Sequence, residues 1–233
     1  MSNIGPSSIA IVPARGGSKR LPRKNIIDFL GRPIIAYTIE AALACGLFDR
    51  VVVSTEDEEI AGVARQCGAW VLDRPQSLAT DSSTVVEVCL DLLDREQKAG
   101  RSYTTMCCLY ATSPLRNAQD IKDTMILVTS GQCDFAMAIT EYSLPPHQAL
   151  RMEKTGTLAP MWPELVHRRA REVGPLYVDC GSIYVVSVPK FRDLRTFYGP
   201  GLRGHIMPHD RSVDIDVQED LELALYFGKK AGL

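Results

Sequence analysis

Residues 9–25 read IAIVPARGGSKRLPRKN, and this stretch organises the rest of the chain. Its apolar start, Ile9–Ala14, predicts a buried β-strand. The strand ends near the pair Gly16 and Gly17, which lets backbone N–H groups turn toward an anion. Five cations crowd the same loop, which contains no acid; they are Arg15, Lys19, Arg20, Arg23 and Lys24. We call residues 15–25 the basic loop, and its composition predicts a polyphosphate site at the end of a strand.

The basic loop differs from the two commonest glycine-rich nucleotide motifs. A Walker A sequence, GxxxxGK[ST], is absent because Gly16 and Gly17 are adjacent and Lys19 follows too soon. The pattern GxGxxG of dinucleotide-binding folds is also absent from this stretch. The polyphosphate site is therefore expected to be of another kind.

Composition indicates an ordinary globular protein with one large domain. The 233 residues are 45% hydrophobic and 23% charged. The net charge of −2 leaves no excess of cations to neutralise a nucleic-acid backbone. The basic loop is thus expected to be a local anion site, and no nucleic-acid partner is expected.

Several features favour a cytoplasmic location. No apolar run approaches the roughly 20 residues needed to span a bilayer, so no membrane partner is expected. Residues 1–6 lack the charged start and apolar core of a signal peptide. The seven cysteines are an odd number without a CxxC pair, which is typical of reduced thiols.

Strand-like and helix-like stretches alternate along most of the chain. The predicted strands are Ile9–Ala14, Arg50–Ser54, Ala69–Leu72, Thr105–Tyr110, Asp134–Thr140, Leu176–Tyr177 and Ser182–Val188. The predicted helices are Pro33–Cys45, Asp57–Gln66, Thr84–Gln97, Asn117–Thr129 and Val217–Lys230. This alternation predicts one α/β domain over residues 1–233 with a mainly parallel sheet. Residues 142–175 break the rhythm and are expected to form an inserted lid or dimerisation segment.

A pair of aspartates near the C-terminus predicts a metal site. Val213–Asp216 alternates as a strand does, which would project Asp214 and Asp216 on one side. Two carboxylates beside a polyphosphate indicate Mg²⁺, which prefers hard oxygen ligands. Glu219 and Asp220, in contrast, are expected only to complement the N-terminus of the last helix.

Two further polar stretches follow predicted strands. Residues 109–116, LYATSPLR, are expected to bring Tyr110, Ser113 and Arg116 to the same sheet edge as the basic loop. Residues 74–81, RPQSLATD, form another polar loop. Each stretch, taken alone, is equally consistent with an ordinary helix-capping loop.

Taken together, these motifs resemble the CMP-sugar synthetases, cytidylyltransferases that activate sialic-acid-like sugars and a related octulosonate. The resemblance rests on residues 11–25, 31–33, 53–56, 74–81, 109–116 and 213–216, which occur in the family's order. It implies an α/β Rossmann-like nucleotidyltransferase fold, CTP as donor and Mg²⁺ as cofactor. It also implies a homodimer in which the segment at 142–175 reaches the partner.

The resemblance also assigns residues to the nucleotide and the metal. The implied nucleotide-binding residues are Ala14, Arg15, Gly16, Gly17, Ser18, Lys19, Lys24, Asn25, Arg74 and Asp81. Asp214 and Asp216 match the metal-binding aspartates of the family. Arg15, Lys24 and Asp216 are the implied catalytic residues.

The acceptor implied by the resemblance is an acidic nine-carbon sugar. The implied sugar-binding residues are Tyr110, Ser113, Arg116, Arg169, Asp179 and Tyr184. Residues 107–110 and the spacing Tyr177-x-Asp179-x-Gly181 are similar to the pseudaminate branch rather than to the N-acetylneuraminate enzymes. The expected reaction transfers CMP from CTP to the anomeric hydroxyl of a nonulosonic acid and releases pyrophosphate.

Three alternatives stay open at this point. The acceptor could be the octulosonate, or the donor could be UTP or GTP, as in other sugar-nucleotide pyrophosphorylases. The chain could also be a sensor that binds a nucleotide sugar without turnover. Retention of Asp214 and Asp216 with the full basic loop argues against a sensor, which has no need of a metal pair.

Overall fold

The computed structural model of this chain describes residues 7–233. The first six residues, on which the expectation about a signal peptide rests, lie outside this range. The strands are β1 (Ser8–Pro13), β2 (Asp28–Phe29), β3 (Arg32–Pro33), β4 (Arg50–Thr55), β5 (Trp70–Asp73), β6 (Thr105–Leu109), β7 (Phe135–Glu141), β8 (Leu150–Met152), β9 (Leu158–Pro160), β10 (Tyr177–Ser187) and β11 (Arg203–Ile206). The helices are α1 (Ile34–Cys45), α2 (Glu58–Gln66), α3 (Val85–Lys98), α4 (Ala118–Thr129), α5 (Ala170–Val173), α6 (Val188–Leu194) and α7 (Gln218–Ala231).

The main sheet of the described residues has seven strands in the order β11-β7-β10-β6-β1-β4-β5. All neighbouring pairs are parallel except those of β10, which runs antiparallel to both β6 and β7. Parallel neighbours need long crossover connections, and here helices supply them. The predicted α/β fold with a mainly parallel sheet is confirmed.

Helices cover both faces of the sheet, so its central strands are buried on both sides. Alternate residues of β1 point to opposite faces. Ala10 and Val12 pack with side chains of α1, α2 and α4, whereas Ile9 and Ile11 pack with side chains of α3 and α6. This explains why β1 is a continuous apolar run.

Two predicted elements near the C-terminus were wrong in detail. Residues 213–216 form irregular chain rather than a strand, because they make only isolated backbone hydrogen bonds, such as that from Ile215 N–H to Thr112 O. Their burial still alternates from one residue to the next. The predicted strands at 176–177 and 182–188 are one strand, β10, with a bulge between Asp179 and Tyr184. β11 and α6 were not predicted from the sequence.

Residues 142–176 form an arm between β7 and β10. The arm carries the hairpin β8–β9 and the short helix α5. Many of its large apolar side chains are exposed, among them Leu144, Leu150, Met152, Leu158, Met161 and Trp162.

All seven cysteines lie in the described part of the chain and are free thiols, five of them buried. Within residues 7–233, none of the helices combines the length and apolarity needed to cross a membrane.

Candidate active site

A pocket of about 260 Å³ opens at the carboxyl ends of β1 and β6. Its walls come from the basic loop, from the loop after β5 and from the turn after β6. This is the edge at which ligands bind in open α/β sheets. Seven predicted site residues line it, namely Arg15, Ser18, Lys24, Asn25, Arg74, Asp81 and Tyr110. Thr80, Ser83 and Thr112 also line it, although they were not predicted as site residues.

The basic loop is held in a defined shape by its own residues and by α2. Asn25 Nδ2 donates a hydrogen bond of 2.8 Å to Arg15 O and so closes the loop. Gly16 passes so close to α2 that a Cβ there would lie 2.5 Å from Asp57 Oδ2. A side chain at position 16 would therefore force Asp57, which caps α2, to shift, whereas a Cβ at Gly17 would meet open space.

The cations of the basic loop are paired with carboxylates that come from elsewhere in the chain. The ion pairs are Arg15–Asp81 at 2.9 Å, Lys19–Asp81 at 2.5 Å, Arg20–Asp216 at 2.8 Å, Lys24–Asp216 at 2.6 Å, Arg23–Asp57 and Arg23–Glu59. A carboxylate also takes a loop amide, because Gly16 N–H donates to Glu56 Oε1 at 2.7 Å. These ion pairs fix the positions of the cationic side chains of the loop.

Asp216 meets the basic loop through Lys24, whose side chain is 16% exposed. Burial alone would raise the pKa of Asp216, but the hydrogen bond and charge of Lys24 outweigh it and lower the pKa. Arg20 contributes less and is 66% exposed. Asp216 is therefore a carboxylate at neutral pH and lies beside the pocket-lining lysine.

Asp214 is more deeply placed than Asp216. Burial raises the pKa of its carboxyl, although Thr112 Oγ1 donates a hydrogen bond of 2.5 Å to Oδ1. On the other side lies Gly181, where a Cβ would be 2.4 Å from Asp214 Oδ2. Thr112 and the bulge of β10 at Gly181 therefore both lie in close contact with this carboxylate.

The two aspartates fit the donor chemistry that Mg²⁺ requires. Among residues 7–233, no cluster of three or more His, Cys, Asp or Glu side chains forms a complete metal cage. Mg²⁺ seldom uses such cages and is usually held by one or two carboxylates with substrate phosphates. An aspartate pair beside the basic loop is compatible with that arrangement.

Arg74 adds a third cationic side chain to the pocket lining, beside Arg15 and Lys24. Its guanidinium donates to Ser54 Oγ at 3.3 Å and to Ser54 O at 2.8 Å. The side chain is buried, and burial lowers its pKa from the usual value. These bonds fix the guanidinium to the end of β4.

An aromatic group adjoins the pocket on the side of β10. The rings of Tyr110 and Tyr184 have centroids 5.2 Å apart. Tyr184 Oη donates to Asp179 Oδ2 at 2.8 Å, and Tyr198 Oη donates to the same oxygen at 2.5 Å. Asp179 is thus held by two phenols. Tyr198 belongs to no motif and was missed.

Ser113 and Arg116 do not lie at the open edge where the sequence placed them. Ser113 is buried and donates to Gly181 O at 2.9 Å. Arg116 is also buried and donates to Thr38 Oγ1 at 2.6 Å and to Tyr110 O at 2.7 Å. Burial lowers the pKa of Arg116 to about 10. Both side chains point inward because their hydrogen-bond partners lie on β10, on α1 and in the turn after β6.

The remaining predicted residues lie around the pocket or apart from it. Ala14 is buried and its N–H bonds to Ser54 O, which leaves it in the sheet. Arg169 is exposed and lies on the arm, just before α5. Asp214 and Asp216 are also outside the pocket lining, but they contact the lining residues Thr112 and Lys24, whereas Arg169 lies apart on the arm.

Comparison with known proteins places this geometry in a family. The cytidylyltransferase family model matches residues 9–140. The chain is 35% identical to a pseudaminic acid cytidylyltransferase of Campylobacter jejuni, over 93% of this chain and 94% of that one. It is 34% identical to a CMP-N,N'-diacetyllegionaminic acid synthase of Legionella pneumophila, over 92% and 93%. It is also 30% identical to an N-acylneuraminate cytidylyltransferase of Escherichia coli, over 95% of this chain and 52% of that one.

Solved structures share the fold at low sequence identity. A CMP:2-keto-3-deoxy-manno-octonic acid synthetase complexed with CTP superposes with a TM-score of 0.69 at 17% identity, covering 97% of this chain and 99% of that one. A 4-diphosphocytidyl-2C-methyl-D-erythritol synthase of Anaerococcus prevotii gives a TM-score of 0.65 at 10% identity, over 96% and 99%. These likenesses support the fold, and the family match supplies the identity. With the family model covering more than half of the chain and relatives similar over nearly all of it, the chain belongs to the cytidylyltransferase family.

Proposed function

We propose that the chain transfers CMP from CTP to the anomeric hydroxyl of a nonulosonic acid, with release of pyrophosphate. The observation that carries the proposal is the bond of 2.6 Å between Lys24 Nζ and Asp216 Oδ1, which joins the basic loop to the aspartate pair at the pocket. The relatives support it, since they are named for activating pseudaminic, legionaminic and acylneuraminic acids.

The triphosphate is assigned to the basic loop. Arg15 and Lys19 are held by Asp81, which is 49% exposed, and exposed ion pairs are weak. A triphosphate brings more negative charge than one carboxylate and would displace Asp81 from both cations. Arg15 and Lys24 would then neutralise charge on the leaving pyrophosphate, which is the main catalytic task in this kind of transfer.

Asp214 and Asp216 are assigned to Mg²⁺. When bound there, the ion would stabilise the negative charge that develops on the phosphate oxygens. Thr112 orients Asp214 through its hydroxyl, and Lys24 orients Asp216 through its ammonium group. The carboxylates would thus be preorganised before the substrates bind.

The sugar is assigned to the side of the pocket near Tyr110 and Asp179. The Asp179 carboxylate accepts hydrogen bonds from two phenols and from the Gly181 N–H, and with about four acceptor sites it can take a further donor. Sugar hydroxyl or acetamido N–H groups are suitable donors. The similarity of residues 177–181 to the pseudaminate branch makes a pseudaminate-like sugar the favoured acceptor.

The arm is assigned to dimer formation. Its exposed apolar side chains form a surface that association would bury. A partner that packs on the arm could also receive Arg169, whose charge suits the carboxylate of an acidic sugar. A double variant, Met152→Lys with Leu158→Lys, is expected to sediment as a monomer where the unaltered chain sediments as a dimer. A monomeric unaltered chain would refute this assignment.

A CTP-using enzyme with free thiols is further expected to work in the cytoplasm.

One experiment tests the reaction and separates its alternatives. Pyrophosphate release is measured with CTP, UTP and GTP, each against pseudaminate, N-acetylneuraminate and 3-deoxy-manno-octulosonate, with and without Mg²⁺. The expected result is the highest kcat/KM for CTP with pseudaminate, Mg²⁺ dependence and a product of the mass of the CMP-sugar. Highest activity with octulosonate, or with UTP or GTP, would assign the chain to those alternatives. Nucleotide binding without turnover of any pair would identify a sensor.

A further inference from the structure

The segment that carries Asp214 and Asp216 has little regular structure of its own. Between β11 and α7 the chain forms one short 3-10 turn, His209–Arg211, and otherwise runs as irregular backbone. Irregular chain is held in place by anchors rather than by a ladder of hydrogen bonds. Those anchors determine where the two carboxylates lie.

One anchor is apolar and lies next to the aspartates. Val213 and Ile215 are buried with Leu21, Phe29 and Leu221. The Ile215 N–H also donates to Thr112 O at 2.9 Å. This contact fixes the downstream side of Asp214.

The other anchor is an ion pair outside the pocket lining. Arg211 Nη2 lies 2.8 Å from Asp120 Oδ1, and its Nε lies 3.1 Å from Asp120 Oδ2, so the guanidinium binds the carboxylate in a two-pronged fashion. Asp120 sits in the first turn of α4 and its side chain is 3% exposed. Its Oδ2 also accepts the Asn117 N–H at 3.0 Å, and its Oδ1 faces His205 Nε2 at 3.4 Å.

This pair ties the irregular segment to a rigid helix. Arg211 precedes Asp214 by three residues, so Asp120 fixes the upstream side of the segment. Loss of the guanidinium would remove two hydrogen bonds from a buried carboxylate, and the turn would shift so that water could reach the carboxylate.

We propose that Asp120 and Arg211 are positioning residues that hold the irregular segment so that Asp214 and Asp216 can bind the metal together. The inference rests on the proposed function for the metal and extends it to residues that touch neither substrate nor metal. Groups that orient metal ligands typically change metal affinity or activity by about 10- to 100-fold when they are removed.

The test uses Arg211→Gln and Arg211→Lys, with Arg192→Gln as the matched control. The Arg192 side chain is exposed to a similar degree, 32% against 38% for Arg211, and it pairs with Asp94 on α3, away from the pocket lining. Mn²⁺ is titrated into each protein and the free ion is followed by electron paramagnetic resonance. We expect Arg211→Gln to weaken Mn²⁺ binding about 10-fold, Arg211→Lys to weaken it less, and Arg192→Gln to leave it unchanged.

Amide hydrogen exchange supplies a readout that does not depend on metal. In the metal-free protein, Arg211→Gln should accelerate exchange at Ile215 and leave the amides of β6 unchanged. Steady-state kinetics should show a lower kcat with little change in KM for CTP at saturating Mg²⁺. Mn²⁺ affinity within twofold of the unaltered protein, with unchanged exchange at Ile215, would overturn the proposal.

The design separates this proposal from the one on which it rests. Unaltered protein that binds no Mn²⁺ refutes the metal assignment, while faster exchange at Ile215 in Arg211→Gln still supports the anchor. If Arg211→Gln fails to fold, as judged by circular dichroism, Arg211→Lys decides. Unaltered Mn²⁺ affinity and exchange in that variant would overturn the anchor.

Discussion

Lys24 and Asp216 are separated by 192 positions in the chain, yet Lys24 Nζ lies 2.6 Å from Asp216 Oδ1. Lys24 belongs to the loop after the first strand, and Asp216 precedes the last helix. The contact joins the cations assigned to the pyrophosphate with the carboxylates assigned to the metal. The proposed chemistry therefore depends on both ends of the chain meeting at one sheet edge.

Lys24→Gln is expected to lower kcat by about 100- to 1000-fold, since it removes a preorganised charge next to the transferring phosphate. Arg20→Gln is the matched comparison, because Arg20 pairs with the same carboxylate but is mostly exposed. It should cost about fivefold at most. Pyrophosphate release at saturating CTP measures both, and losses of equal size would contradict the distinction.

Gly181→Ala is expected to lower both stability and turnover, because Gly181 has φ +60° and its Cβ would overlap Asp214. Gly46→Ala is the control for backbone strain alone. Gly46 has φ +67° at the end of α1, with nothing within 4 Å of an added Cβ. The control should lose about 1–2 kcal/mol of unfolding free energy and keep its kcat. Gly181→Ala should have both a lower unfolding free energy in urea and a lower turnover than Gly46→Ala. Equal values for the two variants would show that the contact with Asp214 is not responsible.

Asp120 should contribute stability at neutral pH that is lost in acid. Burial alone would raise its pKa, but the hydrogen bonds from His205 and Arg211 outweigh it and the pKa is lowered on folding. The unfolded chain then binds more protons between the two pKa values, so stability rises with pH. The contribution is complete above the unfolded pKa of about 3.9 and declines as pH falls below it.

Asp120→Asn tests this dependence by urea unfolding at a series of pH values. The variant should be about 1–3 kcal/mol less stable than the unaltered protein at pH 7. The difference should shrink as the pH falls below about 4. A difference that stays constant from pH 7 to pH 2.5 would show that the charge of Asp120 is not responsible.

Asp179→Asn should raise KM for the sugar with little effect on KM for CTP. Asp179 lies on β10 beside Tyr184, outside the basic loop that is assigned to the triphosphate. We expect roughly a 10-fold loss of kcat/KM for the sugar, the equivalent of one charged hydrogen bond. Tyr198→Phe removes one phenol donor but keeps the carboxylate, so its loss should be smaller. An effect on KM for CTP as large as that on the sugar would place Asp179 on the nucleotide side.

Much of the architecture was predictable because it depends on local patterns. The apolar runs of β1, β4 and β6 and the spacing of the helices determine which residues are buried. Asp57, Thr84 and Asn117 cap the helices that follow them, as their residue types favour. The basic loop likewise predicts an anion site through its composition alone.

Strand β11 and helix α6 were missed because their local signals are weak. Arg203–Ile206 contains Arg, Gly and His on an edge strand and shows no apolar alternation. It becomes a strand through pairing with β7. The backbone pairing with β7 therefore stabilises a strand that the intrinsic β-propensity of these residues does not favour.

By itself, the sequence determined most of the strand-and-helix order, the cation-rich loop and the residue types available for chemistry. Only the tertiary structure decided that Lys24 meets Asp216, that Arg116 turns inward and that Tyr198 reaches Asp179. The physical reason is the range of the forces involved. Periodicity and capping act within a few residues, whereas these contacts depend on crossovers that bring remote segments to one edge of the sheet.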